Sequence, residues 1–178
     1  MTKSGKLGNA YYEIQIEANG AASVRVWHDY ATGVFPTTAR RVWEIVANFG
    51  GIKTIFPSVL SVYLTYPDDT TAEINTVRYM TFAPANAGSP LSPTNPLSLG
   101  VEKLMALDEK ARQLTYISVL GMQVENYQST MAVTGDDACT LTWTSTFTVP
   151  ASQESFVEIL ANILAGGTNQ IATALGLE

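Results

Sequence analysis

The sequence predicts an α+β fold in which a curved antiparallel sheet of about seven strands wraps around a long C-terminal helix, with two short helices after the first strand. The helix prediction rests on residues 152–175, where apolar side chains recur at spacings of three and four, the period of a helix with one wide apolar face. The sheet prediction rests on residues 58–149, which keep a period of two and contain short, acidic or glycine-bearing turns. Short turns join antiparallel neighbours, so the sheet has one dry face, and the terminal helix is expected to cover it.

The N-terminal part adds to this plan. Residues 1–9 are polar and are expected to form a loose lead-in. Residues 11–18 alternate between apolar and polar side chains and predict an extra edge strand, which the turn signal Asn19-Gly20 separates from a further strand in residues 23–35. We therefore expect a single domain over residues 1–178, with residues 1–22 as an N-terminal extension.

The two short helices and the remaining strands follow in order. Residues 36–49 carry apolar side chains at i, i+3, i+4 and i+7, Gly50-Gly51 ends this helix, and a second helical turn reaches Phe56 before Pro57. The later strands are predicted at residues 58–66, 73–82, 99–107, 113–120, 124–134 and 139–149. The last of these is the clearest, because Thr occupies one face at every second position.

The terminal helix has marked ends and an unusual middle. Ser152 is a good N-cap, Glu154 lies in the first turn, and Gly176 is placed to end the helix. Gly166 and Gly167 interrupt the pattern at a cost of about 1 kcal/mol each relative to Ala. A projection at 100° per residue puts Gly167 on the apolar face. Its missing side chain serves either close packing or a space for a ligand.

Composition narrows the class of partner. The net charge is −6 and no basic stripe exists, which argues against a nucleic acid. No apolar run is long enough for a membrane span and none resembles a signal peptide, so we expect a cytoplasmic protein without integral membrane association. The single histidine, His28, argues against a multi-histidine metal site, the lone Cys139 reads as a small core residue, and no nucleotide-binding motif is present. No metal and no cofactor is therefore expected.

Residues 83–98 break the rule of short turns. They contain Pro84, Pro90, Pro93 and Pro96, and a connection this long inside a compact sheet is either functional or disordered. The segment either covers a cavity or is a passive insertion.

The strand pattern brings a small set of polar residues to the dry face. Arg78 shares a strand face with Ile74, Thr76, Met80 and Phe82 and is expected to point inward. Glu102 shares the inner face of the next strand with Leu104 and Ala106, and Tyr116 shares that of the following strand with Leu114 and Leu120. A buried charge must be paired, so Arg78 and Glu102 form either a structural ion pair or a ligand anchor. As a ligand anchor, Arg78 would hold a carboxylate, phenolate or enolate oxygen. The candidate ligand-binding residues are Arg78, Met80, Glu102, Tyr116, Tyr127, Trp143, Ile163 and Gly167.

The element order resembles the helix-grip fold of the START-like (SRPBCC, Bet v 1-like) superfamily, and is most similar to bacterial polyketide cyclase/dehydrase and lipid-transport-like proteins. The resemblance covers residues 24–175 and rests on Pro36, Val42, Trp43, Asn48, Phe49, Gly50, Pro57, Arg78, Glu102, Leu104, Asp108, Arg112, Tyr116, Tyr127, Trp143 and Phe147. It implies a cavity between the terminal helix and the sheet. It does not imply one chemistry, because such a fold serves several functions.

Three functional hypotheses stay open. The first is binding of a small hydrophobic ligand, aromatic, polyketide-like or lipid-like, in that cavity. The second is a cofactor-free polyketide cyclase or dehydratase, with Arg78 stabilising an oxyanion, Glu102 as the base and Tyr116 as a hydrogen-bond donor. The third is a ligand-gated interaction protein that closes residues 83–98 over the cavity. The oligomeric state is open, a homodimer included.

Overall fold

The described part of the chain is a sheet with one long helix across it. The computed structural model describes residues 1–7, 10–19, 21–29, 35–65, 72–82, 98–122, 124–150 and 155–177. Nine strands of this part form one antiparallel sheet in the order β1-β2-β3-β9-β8-β7-β6-β5-β4. The strands are β1 Thr2–Leu7, β2 Ala10–Ile16, β3 Ala21–Asp29, β4 Val59–Thr65, β5 Val77–Phe82, β6 Ser98–Asp108, β7 Gln113–Leu120, β8 Glu125–Gly135 and β9 Cys139–Pro150. The helices are α1 Ala39–Val46, α2 Ile52–Ile55 and α3 Ser155–Ala174, with a 3₁₀ turn at Phe49–Gly51 before α2.

The predicted α+β helix-grip architecture is confirmed. Strands β3 to β9 are the expected seven, two short helices follow β3, and α3 lies against β2, β3 and α2. Its Phe156 meets Phe147 of β9 edge-on, with ring centroids 6.0 Å apart. No helix in the described part of the chain has the length and apolar character needed to cross a bilayer.

The N-terminus differs from the prediction. Residues 2–7 form β1 instead of a loose lead-in, and this strand pairs along its whole length with β2. The strand predicted at residues 11–18 is therefore internal, and β1 is the edge. The sequence of β1 lacks the apolar alternation by which strands are predicted, because an edge strand with both faces in water does not need it. Met1 supports the pairing, since its amino group donates to the carbonyl of Ile16 at 3.1 Å.

Strand β5 begins later than predicted. Residues 73–76 form a turn, in which the Thr76 hydroxyl accepts from the Glu73 amide at 2.9 Å and Asn75 adopts a φ of 78°. Ile74 is consequently exposed, not part of the inner face. Asn tolerates this backbone conformation better than most residues, which explains why the strand pattern stops here.

Two irregularities in β6 also change the predicted faces. The pairing with β7 shifts between Val101 and Glu102 and again between Leu104 and Ala106. The shifts expose Ala106 and Leu120, which the alternation had placed on the inner face. A bulge adds one residue to one strand and so exchanges the faces beyond it.

The C-terminus of α3 ends as its glycine predicts. Gly176 has a φ of +70°, the Gly176 amide donates to Thr173 at 2.9 Å, and the Leu177 amide donates to Ala172 at 3.0 Å. These two bonds are the paired closure of a helix end around a left-handed residue. The predicted N-cap Ser152, Glu154 and residues 83–97 lie outside the described residues, as does the side chain of His28.

Candidate functional site

A buried ion pair lies on the inner face of the sheet. Arg78 is only 4% exposed, its Nε donates to Glu102 Oε2 at 2.6 Å, and its Nη2 contacts the same oxygen. Its Nη1 donates to the Phe49 carbonyl at 2.8 Å. The predicted inward direction of Arg78 and its pairing with Glu102 are confirmed. Whether the pair also binds a ligand stays a prediction.

Two aromatic rings hold the guanidinium. Arg78 Cζ lies 4.1 Å from the ring centroid of Phe49 and 5.0 Å from that of Tyr116. A cation over a ring face is stabilised by the ring quadrupole, more so away from water. The orientation of Arg78 is therefore set jointly by β6, β7 and the 3₁₀ turn.

Only one of the two carboxylate oxygens of Glu102 is hydrogen-bonded to the described residues. Both guanidinium contacts fall on Oε2, whereas Oε1 forms no hydrogen bond to any residue that the structure describes. The side chain is 14% exposed, so this oxygen lies near the interior without being sealed in it. An ionised carboxylate accepts hydrogen bonds and donates none, so Oε1 is an acceptor for a ligand hydroxyl.

A second polar cluster, the hydroxyl network, lies further along the same face. Trp143 Nε1 donates to Ser129 Oγ at 2.7 Å, Ser129 Oγ lies 2.9 Å from Ser145 Oγ, and Ser145 Oγ lies 3.0 Å from the Tyr127 hydroxyl. All four side chains are buried. An indole can only donate, so Ser129 accepts from Trp143. Either hydroxyl can be the donor in the contacts of Ser145 with Ser129 and with Tyr127, and Ser129 Oγ also lies 3.3 Å from the Thr144 carbonyl, to which it can donate.

Ser129 and Ser145 were not predicted as site residues. Both are fully buried on the inner face, which their alternation with apolar neighbours indicates. A serine among large apolar residues on a dry face was the available signal, because a buried hydroxyl needs a partner.

The two tyrosines of the site are neutral phenols. Burial, reinforced by Tyr127 and by the charge of Glu102, holds the pKa of Tyr116 well above its usual value. Burial likewise raises the pKa of Tyr127, although its hydrogen bond to Ser145 opposes the change. Their ring centroids are 6.3 Å apart, so two protonated hydroxyl-bearing rings lie side by side next to Arg78. They can donate to an oxygen on a bound molecule.

The apolar part of the predicted site is tightly packed near the helix. A Cβ added to Gly167 would lie 2.7 Å from Trp143 Cζ3 and 3.1 Å from both Ile55 and Phe56. The hypothesis that Gly167 leaves room for a ligand is therefore wrong at this position, and close packing is the reason for the glycine. Ile163, one turn earlier, is half-buried.

The predicted residues thus divide into groups. Arg78, Glu102, Tyr116 and Tyr127 are adjacent, and Trp143 joins them through the two serines. Met80 is buried on β5, where it pairs with Gly100 of β6. Ile163 and Gly167 lie on α3.

An open groove of about 800 Å³ lies elsewhere than predicted. It runs between the end of α1, the 3₁₀ turn and β4, with Leu107 of β6 and Glu109 at one side. The prediction placed the cavity between α3 and the sheet. Phe49 is common to both regions, because it lines the groove and also stacks on Arg78.

Solved structures share this fold at low sequence identity. Norcoclaurine synthase from Thalictrum flavum, solved in complex with dopamine and hydroxybenzaldehyde, is 19% identical, with 88% of each chain covered and a TM-score of 0.63. Major latex-like protein 151 from Panax ginseng is 14% identical, with 85% of this chain and 97% of that one covered and a TM-score of 0.64. XoxI from Bacillus cereus is 21% identical, with 85% and 94% covered and a TM-score of 0.62.

The sequence comparisons give the family. No curated protein matches the chain. The sequence pattern described as polyketide cyclase / dehydrase and lipid transport matches residues 30–176, from the start of the segment before α1 to the end of α3. The activities in this description all require a small molecule to be bound, and the match spans most of the chain. The chain therefore belongs to the polyketide cyclase/dehydrase and lipid transport family.

Proposed function

We propose that the protein binds a small hydrophobic molecule, aromatic, polyketide-like or lipid-like, between α3 and the inner face of the sheet. The observation that carries this proposal is the placement of Arg78, Glu102, Tyr116 and Tyr127 together in an apolar interior. Replacing a buried ion pair by apolar side chains of similar volume is often neutral or stabilising. Stability alone therefore gives little reason for these polar groups, and ligand recognition gives one.

The donors and acceptors define what the ligand must carry. The phenols of Tyr116 and Tyr127 are protonated and would donate to a carbonyl or hydroxyl oxygen, and Glu102 Oε1 would accept from a hydroxyl. Met80, Trp143 and Ile163 would contribute apolar walls. The class that fits is a flat or flexible apolar molecule with one or two oxygens.

Binding is tested by native mass spectrometry of the purified protein and by titration with 1-naphthol, an apolar ring with one hydroxyl. We expect binding that Tyr127→Phe weakens by about threefold to tenfold, the loss of one hydrogen bond. Tyr79→Phe, on the exposed opposite face, is the matched control and should bind as the wild type does. Absence of any bound apolar molecule and of naphthol binding would contradict the proposal.

The second candidate function is a cofactor-free cyclase or dehydratase. It is suggested by the spare oxygen of Glu102, which would take a proton, with Arg78 and Tyr116 beside it as groups that would stabilise the oxygen that becomes negative. The test is Glu102→Gln with an enolisable polyketide-like substrate. A loss in turnover far larger than the loss in affinity supports catalysis, whereas equal losses support binding alone.

We also propose that residues 1–178 form one domain acting in the cytoplasm. The family match starts at residue 30, but β1 and β2 continue the same sheet beyond β3. The acidic net charge of −6 supports a small-molecule partner over a nucleic acid.

A further inference from the structure

The groove beside α1 has an apolar floor and an acidic rim. Its floor is formed by Ala47, Phe49, Val62, Leu64 and Leu107, from four different segments of the fold. Glu44 and Glu109 lie at its sides, and no described residue that lines it is basic. At about 800 Å³ it has the size of a small-molecule site.

The two rim carboxylates differ in how firmly they are held. Glu109 Oε2 accepts from Trp43 Nε1 at 2.6 Å, which anchors that side chain and leaves Oε1 without a hydrogen bond to the described residues. Glu44 Oε1 pairs with Arg40 Nε at 2.9 Å, but both side chains are largely exposed, at 60% and 85%. An exposed pair of this kind is weak and exchanges readily with another cation.

This groove borders the interior site without including its polar residues. Phe49 and Leu64 line the groove, the Phe49 ring also stacks on Arg78, and Leu64 is the cross-strand partner of Arg78. Arg78, Glu102, Tyr116 and Tyr127 are not among the described residues that line the groove. The two sites therefore have opposite requirements. The interior offers a cation and phenol donors, whereas the groove offers carboxylates over an apolar floor.

We propose that the groove is a second ligand site and that it binds small cationic amphiphiles, with the ammonium group at Glu44 and Glu109 and the apolar part on Val62, Leu64 and Leu107. Charge and apolar surface are both needed for this class. An anion would meet two carboxylates, and a polar cation would gain nothing from the floor.

The test compares three probes that share one chain and differ in head group: octylammonium, 1-octanol and octanoate. Binding is followed by backbone amide chemical shifts at low salt. We expect octylammonium to bind about fivefold or more tightly than octanol, with octanoate weakest, and to shift the amides of Ala47, Gly50 and Gly51. The preference should shrink at high salt, since exposed charges are screened.

The decisive variant is Glu44→Gln/Glu109→Gln. Glutamine keeps an acceptor for Trp43, so the fold is retained while the rim charge is lost. The variant should bind octylammonium and octanol equally, and Glu125→Gln, an exposed carboxylate outside the groove, should keep the wild-type preference. If the double variant does not fold, Glu44→Gln alone should reduce the preference.

The outcomes separate this site from the interior one. Amide shifts confined to the interior, near Tyr127 and Ser145, or an amine preference that survives in the double variant, would overturn the groove proposal and leave interior binding intact. If the protein does not bind 1-naphthol but keeps its preference for octylammonium, the interior proposal is overturned and the groove proposal stands.

Discussion

Gly167 and Gly166 are neighbours on α3 with opposite surroundings, and the pair gives a sharp test of the packing beneath the helix. A Cβ at Gly167 would lie 2.7 Å from Trp143 Cζ3, far inside the contact distance of about 3.5 to 4.0 Å between carbon atoms. A Cβ at Gly166 would meet no heavy atom of the described residues within 4 Å, apart from the backbone of its own helix and its chain neighbours. Both positions are in the middle of the helix, so Ala gains the same helix propensity at each, about 1 kcal/mol.

Trp143 cannot move aside cheaply. Its side chain is 1% exposed, its Nε1 is fixed by the 2.7 Å hydrogen bond to Ser129, and its ring lies against Phe56 with centroids 5.8 Å apart. Overpacking a well-packed core costs about 1 to 3 kcal/mol. Gly166→Ala should therefore stabilise the protein by about 1 kcal/mol, whereas Gly167→Ala should be neutral to about 2 kcal/mol destabilising.

The assay is urea unfolding of the two variants beside the wild type. The helix term cancels between them, so the difference in unfolding free energy, about 1 to 3 kcal/mol, is the packing cost alone. In a thermal melt it corresponds to about 2 to 12 °C for a chain of this size. If Gly167→Ala stabilises as much as Gly166→Ala, then Trp143 does not fill the space beside position 167.

Three further predictions concern the polar interior. Arg78→Met should lower the free energy of unfolding in urea by about 3 to 5 kcal/mol, because it leaves the charge of Glu102 without its partner. Arg78→Met/Glu102→Met should recover much of this loss, whereas additive losses would mean that the pair is not coupled. Ser129→Ala should cost about 1 to 3 kcal/mol because Trp143 Nε1 loses its acceptor, with Thr130→Ala as the neighbouring control; equal costs would contradict the network. Burial raises the pKa of Tyr127, so the unfolded chain loses this proton at a lower pH than the folded protein does. The contribution of this group to the free energy of unfolding is intact below about pH 10 and is lost as the pH rises toward the folded-state pKa. Tyr127→Phe should make the alkaline fall in the free energy of unfolding shallower by up to about 1.4 kcal/mol per pH unit, and an unchanged slope would refute this.

The sequence was a good guide wherever one face of an element is buried. The six strands from β4 to β9 lie close to their predicted positions, and Arg78, Glu102 and Tyr116 point inward as their alternation indicates. The prediction failed where the apolar alternation is absent and where a register shift moves it to the other face. Strand β1 has no dry face to mark it, and the shifts in β6 exchange faces without changing composition, which is how Ala106 and Leu120 were misplaced.

The position of an empty space was harder to predict than the position of a side chain. A glycine on the apolar face is compatible with a hole or with a large neighbour, and the sequence does not say which residue from a distant strand fills it. Here the neighbour is Trp143, which lies 24 residues earlier in the chain and on the opposite layer. The groove could not be foreseen either, because it needs α1, β4 and β6 together.

The short segment between α1 and α2 links the two proposed sites, and its geometry gives a reason for the buried charge. The Phe49 carbonyl accepts from Arg78, its ring stacks on the same guanidinium, and the residue is also among those that line the groove. A neutral residue in place of Arg78 would remove both contacts that hold Phe49 at the border between the interior and the groove. On this view the ion pair with Glu102 also helps to fix Phe49, the residue that the interior cluster and the groove share.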